Sequence, residues 1–266
     1  MNFEEIVKHR RAIRYYDPEK PLDTARVEHC LRLASLAPTS SNLQLWECYH
    51  ITDPTVIASL APACFSQTAV TTAQQLVVFV TKPHLWRQRT HELIELYRAD
   101  TRKHHPEDKW AKYDKLRADY LLKVIPFTYS RGLGIWGLIR KGLVQITGLF
   151  RPVPRQMSEG DLTAVQHKSC ALVAQTFMLA MSSEGYDTCP LEGIDTLRVR
   201  RLLGLPRGSK INMIVSCGIR DDRRPVGDRI RVPFESQYHR IGEQVGLPPR
   251  ISSSVPPRLI PLYYLH

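Results

Sequence analysis

The residues best suited to chemistry fall in four stretches of the chain. Arg10-Arg11-Ala12-Ile13-Arg14 sets three guanidinium groups within five residues at the end of a predicted helix. Arginine forks bind phosphate by paired hydrogen bonds, and the plain alternative is a solvated basic turn. Ala37-Pro38-Thr39-Ser40-Ser41-Asn42-Leu43-Gln44-Leu45-Trp46 places four consecutive hydroxyl or amide side chains between a helix stop and a strand. That is a set of donors for one polar ligand, or else a capping loop. In Gly185-Tyr186-Asp187-Thr188-Cys189-Pro190-Leu191-Glu192-Gly193-Ile194-Asp195, Pro190 and Gly193 predict a turn after a buried helix. Free N–H groups in such a turn can donate to a flat, electron-rich ring. Gly227-Asp228-Arg229-Ile230-Arg231-Val232-Pro233-Phe234 adds two more cations.

Two other matches are decoys. Gly132-Leu133-Gly134-Ile135-Trp136-Gly137 fits G-x-G-x-x-G, but Pro126 interrupts the segment that should be a strand. The stretch Arg151–Arg155 is basic where the dinucleotide fingerprint needs an acid. His91-Glu92-Leu93-Ile94-Glu95 has Glu95 where a zinc-protease helix needs its second histidine. No metal site is expected, and His104-His105 reads as solvated.

These stretches must be positioned by helices and a few buried strands. Residues Phe3–Ala12 read as a short helix and Leu22–Ala37 as a second, capped by Asp23 or Thr24 and stopped by Pro38. Strands are predicted near Trp46–Ile51, over Leu76–Val80 and over Ile211–Ser216; the last two are apolar throughout, as in strands buried on both faces. Short helices follow Asp53-Pro54 and span Gln67–Gln74 and Thr196–Leu203. Asp161–Glu184 is a long helix, apolar around most of its circumference and ended by Gly185. The result is one α+β domain over residues 1–266, with a helical excursion at about 84–160 and a Pro-rich tail at about 246–266.

Composition narrows the class. The 266 residues carry a net charge of +11, with 43% apolar and 24% charged residues. Those are values of an ordinary soluble protein that attracts anions. No zinc-finger spacing or aromatic RNP-type strand accompanies the charge, so nucleic acid is not expected as a partner. Six scattered cysteines without a C-x-x-C pair suggest reduced thiols in a cytosol. The N-terminus has no basic region leading into an apolar stretch, and a cytoplasmic protein is expected.

Taken together and in this order, the four stretches resemble the nitroreductase family of flavoenzymes, over about residues 1–82 and 160–235. The resemblance implies an α/β/α sandwich with a mixed central sheet, a domain-entwined homodimer, and FMN in a cleft at the dimer interface. It implies that Arg10, Arg11 and Arg14 hold the FMN phosphate, that Ala12 offers only its backbone where the family often has serine, and that Arg229 and Arg231 complete the clamp. Pro38, Thr39, Ser40 and Asn42 match the loop that reaches the flavin of the other subunit. Gln67 matches an amide near the ring edge. Pro190, Leu191, Glu192 and Gly193 match the turn against one ring face, with the Glu192 or Gly193 N–H toward the flavin N5. The activity implied is electron transfer from NADH or NADPH to a nitroaromatic, quinone or activated alkene by ping-pong kinetics. The flavin carries the chemistry, so no side chain is assigned as a catalytic residue. A flavin-storing or flavin-sensing protein without NAD(P)H turnover is the alternative.

The excursion exceeds the family pattern. Leu133–Phe150 is apolar but holds Arg140 and Lys141 at its centre, too short and too charged to cross a membrane. The expectation is that Trp136 and its neighbours roof the flavin cleft, with Arg131, Arg140 and Lys141 attracting an anionic substrate. Extension of the dimer interface is a second reading and peripheral membrane contact a third.

Overall fold

The computed structural model describes residues 1–130 and 135–241. The chain divides into two units, Met1–Arg224 and Pro225–His266. In chain order the first holds α1 (Phe3–His9), α2 (Thr24–Ala34), β1 (Trp46–Ile51), α3 (Pro54–Leu60), α4 (Thr68–Thr71) and β2 (Gln75–Thr81). There follow α5 (Trp86–His104), α6 (Glu107–Asp119), a π-helical turn (Tyr120–Val124), α7 (Ile125–Tyr129) and α8 (Ile135–Thr147). Then come α9 (Glu159–Ser183), β3 (Asp187–Leu191), α10 (Thr196–Leu202) and β4 (Lys210–Gly218). In the described part of the second unit, a 3-10 turn over Phe234–Ser236 brings the rings of Phe234 and Tyr238 into a stack 4.9 Å apart. The predicted tail at 246–266, Arg131, Leu133 and the first half of the G-x-G-x-x-G match lie outside the described residues.

The four strands form one sheet in the order β1-β2-β4-β3, each neighbouring pair antiparallel. Parallel pairing among the described residues is confined to an isolated bridge between Ala12 and Thr188. β2 is buried along its whole length, and its side chains alternate between two cores. Leu76, Val78 and Val80 pack with Ile57, Leu60 and Val199 from α3 and α10 on one face. Val77 and Phe79 pack with Val27, Cys30, Val173 and Phe177 from α2 and α9 on the other. Where β4 faces β2, the pairing skips Asn212, so Ile211 and Met213 point into opposite cores. A bulge of one residue does this, because side-chain direction has a period of two. The expected sandwich is thus present, with helices on both faces of the sheet.

Local chemistry sets the ends of these elements. Asn2 and Glu5 close a reciprocal cap on α1, and the Asp23 side chain accepts from the Ala25 N–H at the start of α2. α1 stops at His9, three residues short of its expected end, because Ala12 is drawn into the bridge with Thr188. Gly185 ends α9 at φ +77°, a conformation costly for any residue with a Cβ.

One expectation is corrected. Pro190 and Leu191 do not lie in a turn; they are the last two residues of β3. β3 is an edge strand of the sheet, and there a proline's missing N–H costs no ladder hydrogen bond.

The segment from His84 onward is helical, as its pattern predicts. Its π-helical turn sits just before Pro126, whose ring and missing N–H disrupt the ordinary i→i−4 bond, and the wider turn accommodates that. Leu93, Ile94, Leu121, Ile125 and Tyr129 from these helices bury Leu43 and Leu45, which follow the polar loop.

Candidate functional site

The first half of the site is built where α1 meets β3. Ile13 N–H donates to the Thr188 carbonyl at 3.1 Å, which lays the arginine segment beside the strand. Arg14 is exposed, and its guanidinium lies against the Cys189 sulfur. Burial pushes the Cys189 thiol up, and the charges of Arg14 and Arg10 pull against that shift. Arg10 and Arg11 are half-buried, and Ala12 is exposed. The structure therefore brings Arg10, Arg11, Ala12 and Arg14 together with Pro190 and Leu191.

Just past β3, Glu192 and Gly193 are exposed. Their N–H groups donate to no backbone carbonyl of the described residues, while the Ile194 N–H turns back to the Glu192 carbonyl at 3.0 Å. Gln67 joins this end: its side-chain amide donates to the Gly193 carbonyl at 3.0 Å and to the Cys64 carbonyl at 3.1 Å. The two residues before it, Phe65 and Ser66, hold φ of +55° and +48°. Such left-handed backbone at non-glycine residues is strained and persists only where surrounding structure imposes it.

A buried ionic network fixes this half, and the sequence alone did not point to it. Asp187 is buried at the start of β3. It accepts from Arg220 Nε at 3.0 and 3.1 Å and from the Arg220 backbone N–H at 2.8 Å. Arg220 Nη2 also reaches the His9 carbonyl at 3.2 Å and His9 Nε2 at 3.3 Å. Ser182 on α9 donates to the Ile6 carbonyl at 2.8 Å and so accepts from His9 Nδ1 at 3.0 Å. That network assigns His9 as neutral with its proton on Nδ1. Burial, with the Arg220 charge adding to it, lowers the His9 pKa from its usual 6.5, against a smaller opposing pull from Asp187. Each bonded pair in this network joins residues 33 or more positions apart, and no local motif links them.

The second half is the polar loop, which lies elsewhere on the same helix. The Ser40 N–H donates to Ser169 Oγ of α9 at 3.1 Å. Ser169 and Ser182 stand 13 residues apart, which is about 20 Å of helix at 1.5 Å per residue. Within one chain, then, Thr39, Ser40 and Asn42 are not brought to the arginines. The loop is strained: Ser41, Asn42 and Gln44 hold φ of +54°, +52° and +48°. Tyrosines of the excursion hold it, with Ser41 Oγ 2.7 Å from the Tyr120 hydroxyl and the Asn42 amide donating to the Tyr97 hydroxyl at 3.2 Å. Beneath it, Thr39, Ser40, Gln44, Tyr129, Gln166 and Ser169 line a small cavity. The Gln166 amide is buried there with no hydrogen bond among the described residues.

The remaining candidates are Arg229, Arg231, Trp136 and Arg140. Arg229 and Arg231 belong to the second unit, where Arg231 Nη1 donates to the Ile230 carbonyl at 2.7 Å. Trp136 stands exposed on α8. Arg140 is not a substrate-facing cation: it is buried and donates to the carbonyls of Phe127, Ser130 and Met157. The free thiols are not nucleophiles in waiting. Burial raises Cys30 and Cys170 to about 12 and Cys64 to about 11.

Known proteins share this architecture. Protein DrgA of Synechocystis is 26% identical over 234 residues, covering 88% of this chain and 91% of its own. YdgI of Bacillus subtilis, named as an NAD(P)H nitroreductase, is 26% identical over 219 residues, 82% of this chain and 88% of its own. A protein of nitroreductase type from Exiguobacterium sibiricum, solved in complex with FMN, superposes with a TM-score of 0.64 at 23% identity, over 91% of this chain and 98% of that one. The model of the nitroreductase family matches residues 7–219, most of the chain and both halves of the candidate site in the first unit. This chain belongs to the nitroreductase family.

Proposed function

We propose that the protein is an FMN-dependent oxidoreductase that passes electrons from NADH or NADPH to a small acceptor, a nitroaromatic, quinone or activated alkene, by a ping-pong mechanism. The observation that carries this reading is the bridge between Ala12 and Thr188, which sets three arginines beside the strand that ends at Glu192 and Gly193. Cations beside the strand and N–H donors without a backbone acceptor just past its end fit a ligand with a dianionic phosphate and a planar, electron-rich ring.

FMN bound there supplies the hydride and electron transfer. Arg10, Arg11 and Arg14 would hold its phosphate, with the Ala12 backbone between them. The N–H of Glu192 or Gly193 would donate to the ring, and Pro190 and Leu191 would lie against its face. Gln67 keeps that turn in place through the Gly193 carbonyl. The ionic network of Asp187, Arg220 and His9 ties α1 to the start of β3 and so orients the arginine segment.

The protein is proposed to act as a homodimer in the cytoplasm. The loop of Thr39, Ser40 and Asn42 is held at Ser169, about 20 Å along α9 from Ser182, where α1 and the arginine segment that follows it are held. A two-fold pairing can bring it to the arginines of a second copy, and strain of the kind held at Ser41 and Asn42 is common where backbone meets a ligand.

The test is the visible spectrum of the purified protein, before and after NADH or NADPH without oxygen. We expect a yellow protein with about one FMN per chain, bleached by one of the two donors. Replacing Arg14 with alanine removes one charge-assisted contact, worth about 1.5–3 kcal/mol, so FMN affinity should fall at least tenfold. Unchanged affinity in that variant would remove Arg14 from the site. Bound flavin that neither donor reduces would make the protein a flavin store or sensor instead.

A further inference from the structure

α8 is built inside out. Taking 100° per residue, Gly137, Arg140 and Val144 share one face, and all three are buried. Gly137 allows the close approach, because a Cβ there would meet the Glu159 side chain at 2.7 Å. Arg140 ties this face down through the carbonyls of Phe127, Ser130 and Met157. The opposite face is apolar and open. Ile135, Trp136, Leu138, Ile139, Leu143 and Ile146 fall within an arc of about 160°, and all are exposed, Leu138 at 74% and Ile146 at 61%. Leu149 and Phe150 continue the patch beyond the helix at 76% and 84%. A soluble surface does not normally carry so continuous an apolar stripe, and such a stripe marks a binding face.

Charge identifies what binds. From Tyr120 to Ser158 the sequence contains no Asp or Glu, and it contains six Lys or Arg. Lys141 and Arg151 are exposed beside the stripe. A second copy docking α8 against α8 would set Lys141 and Arg151 against their own kind, with Asp161 beside Lys141 as a partial counter-charge. An anionic surface answers them. α8 is 13 residues, about 20 Å, and no helix among the described residues is long and apolar enough to cross a membrane. A short helix with an apolar face, flanking cations and no acids is suited to lie in the headgroup boundary.

We propose that the outward face of α8, with Leu149 and Phe150, is a membrane-docking surface for anionic phospholipid. Its test reads lipid binding and not turnover, so it stands or falls apart from the proposed activity.

The experiment is flotation of the full chain with vesicles of phosphatidylcholine containing 30% phosphatidylglycerol, against pure phosphatidylcholine, in physiological salt. Expected is clear co-flotation with the anionic vesicles and at least ~tenfold weaker partition on the neutral ones. Leu138→Ser with Ile146→Ser should reduce anionic partition by at least ~tenfold, and Lys141→Glu with Arg151→Glu by a similar factor. These positions are exposed, so the melting temperature and FMN content should match the wild type. Trp136 emission should shift to the blue on anionic vesicles, and Trp136→Phe should abolish that shift. Wild-type protein that does not float overturns the proposal, as does flotation unchanged by the serine pair. If the serine pair instead changes the mass in light scattering while the wild type ignores vesicles, a second copy covers α8 and the proposal is wrong.

Discussion

The two ends of α9 hold their cargo by different physics. At Ser182 the neighbours are charged and buried: Asp187 grips Arg220, Arg220 reaches His9, and α1 is drawn to the sheet. At Ser169 the neighbours are neutral hydroxyls and strained backbone: Ser40, Ser41 and Asn42 are held by Ser169, Tyr120 and Tyr97. The first arrangement resists displacement, since any movement strands a charge away from water. The second gives way at the cost of one or two ordinary hydrogen bonds. A rigid end that presents cations and an adjustable end that presents hydroxyls suit the two tasks proposed for them, holding a phosphate and fitting against a neighbouring subunit.

The largest effect should come from removing the anchor of the rigid end. Asp187→Ala leaves Arg220 half-buried without its carboxylate, and breaking a buried pair in this way costs about 3 kcal/mol or more. The melting temperature should fall by about 10 °C. If it falls by no more than about 2 °C, the network does not order this end, and the contrast between the two ends fails.

The legibility of each end in the sequence follows the same division. The arginines and the polar loop were visible because their chemistry is local and runs over five or ten consecutive residues. The α+β class was visible too, since β2 and α9 are apolar along their lengths, whereas the sandwich came only from the family resemblance. β3 was not, because Pro190 and Gly193 carry the composition of a turn and only an edge position makes the proline acceptable. The network of His9, Asp187 and Arg220 joins three distant points, and nothing near any of them marks it. Arg140 was misread for a different reason: a cation in an apolar stretch invites a ligand, yet Gly137, Arg140 and Val144 already share one helical face. Their spacing could have predicted that the face turns inward.

A smaller effect probes the adjustable end. Tyr120→Phe removes the hydroxyl that meets Ser41 at 2.7 Å and should cost about 1 kcal/mol by chemical denaturation. Combined with Ser41→Ala, the two losses should fail to add, since both remove the same bond. Additive losses would show that the tyrosine does not hold the loop and that some other contact keeps the strained backbone in place.

The smallest effect belongs to His9 and sharpens the comparison by pH. Its folded pKa lies below 6.5, chiefly because burial penalises the charged ring. Between that lowered value and 6.5 the unfolded chain binds more protons than the folded one, so stability rises with pH across this window. The contribution is complete above about pH 6.5 and is lost as pH falls toward the folded value. His9 is partly open to solvent, which keeps the effect modest. Replacing His9 with glutamine preserves a donor toward Ser182 but cannot titrate. Urea midpoints of the wild type should therefore climb from pH 5 to pH 7 more steeply than those of the variant, with the difference between the slopes confined to the range below 6.5. Equal slopes would mean that His9 keeps its ordinary affinity for protons, and the rigid end would then owe its order to Asp187 and Arg220 alone.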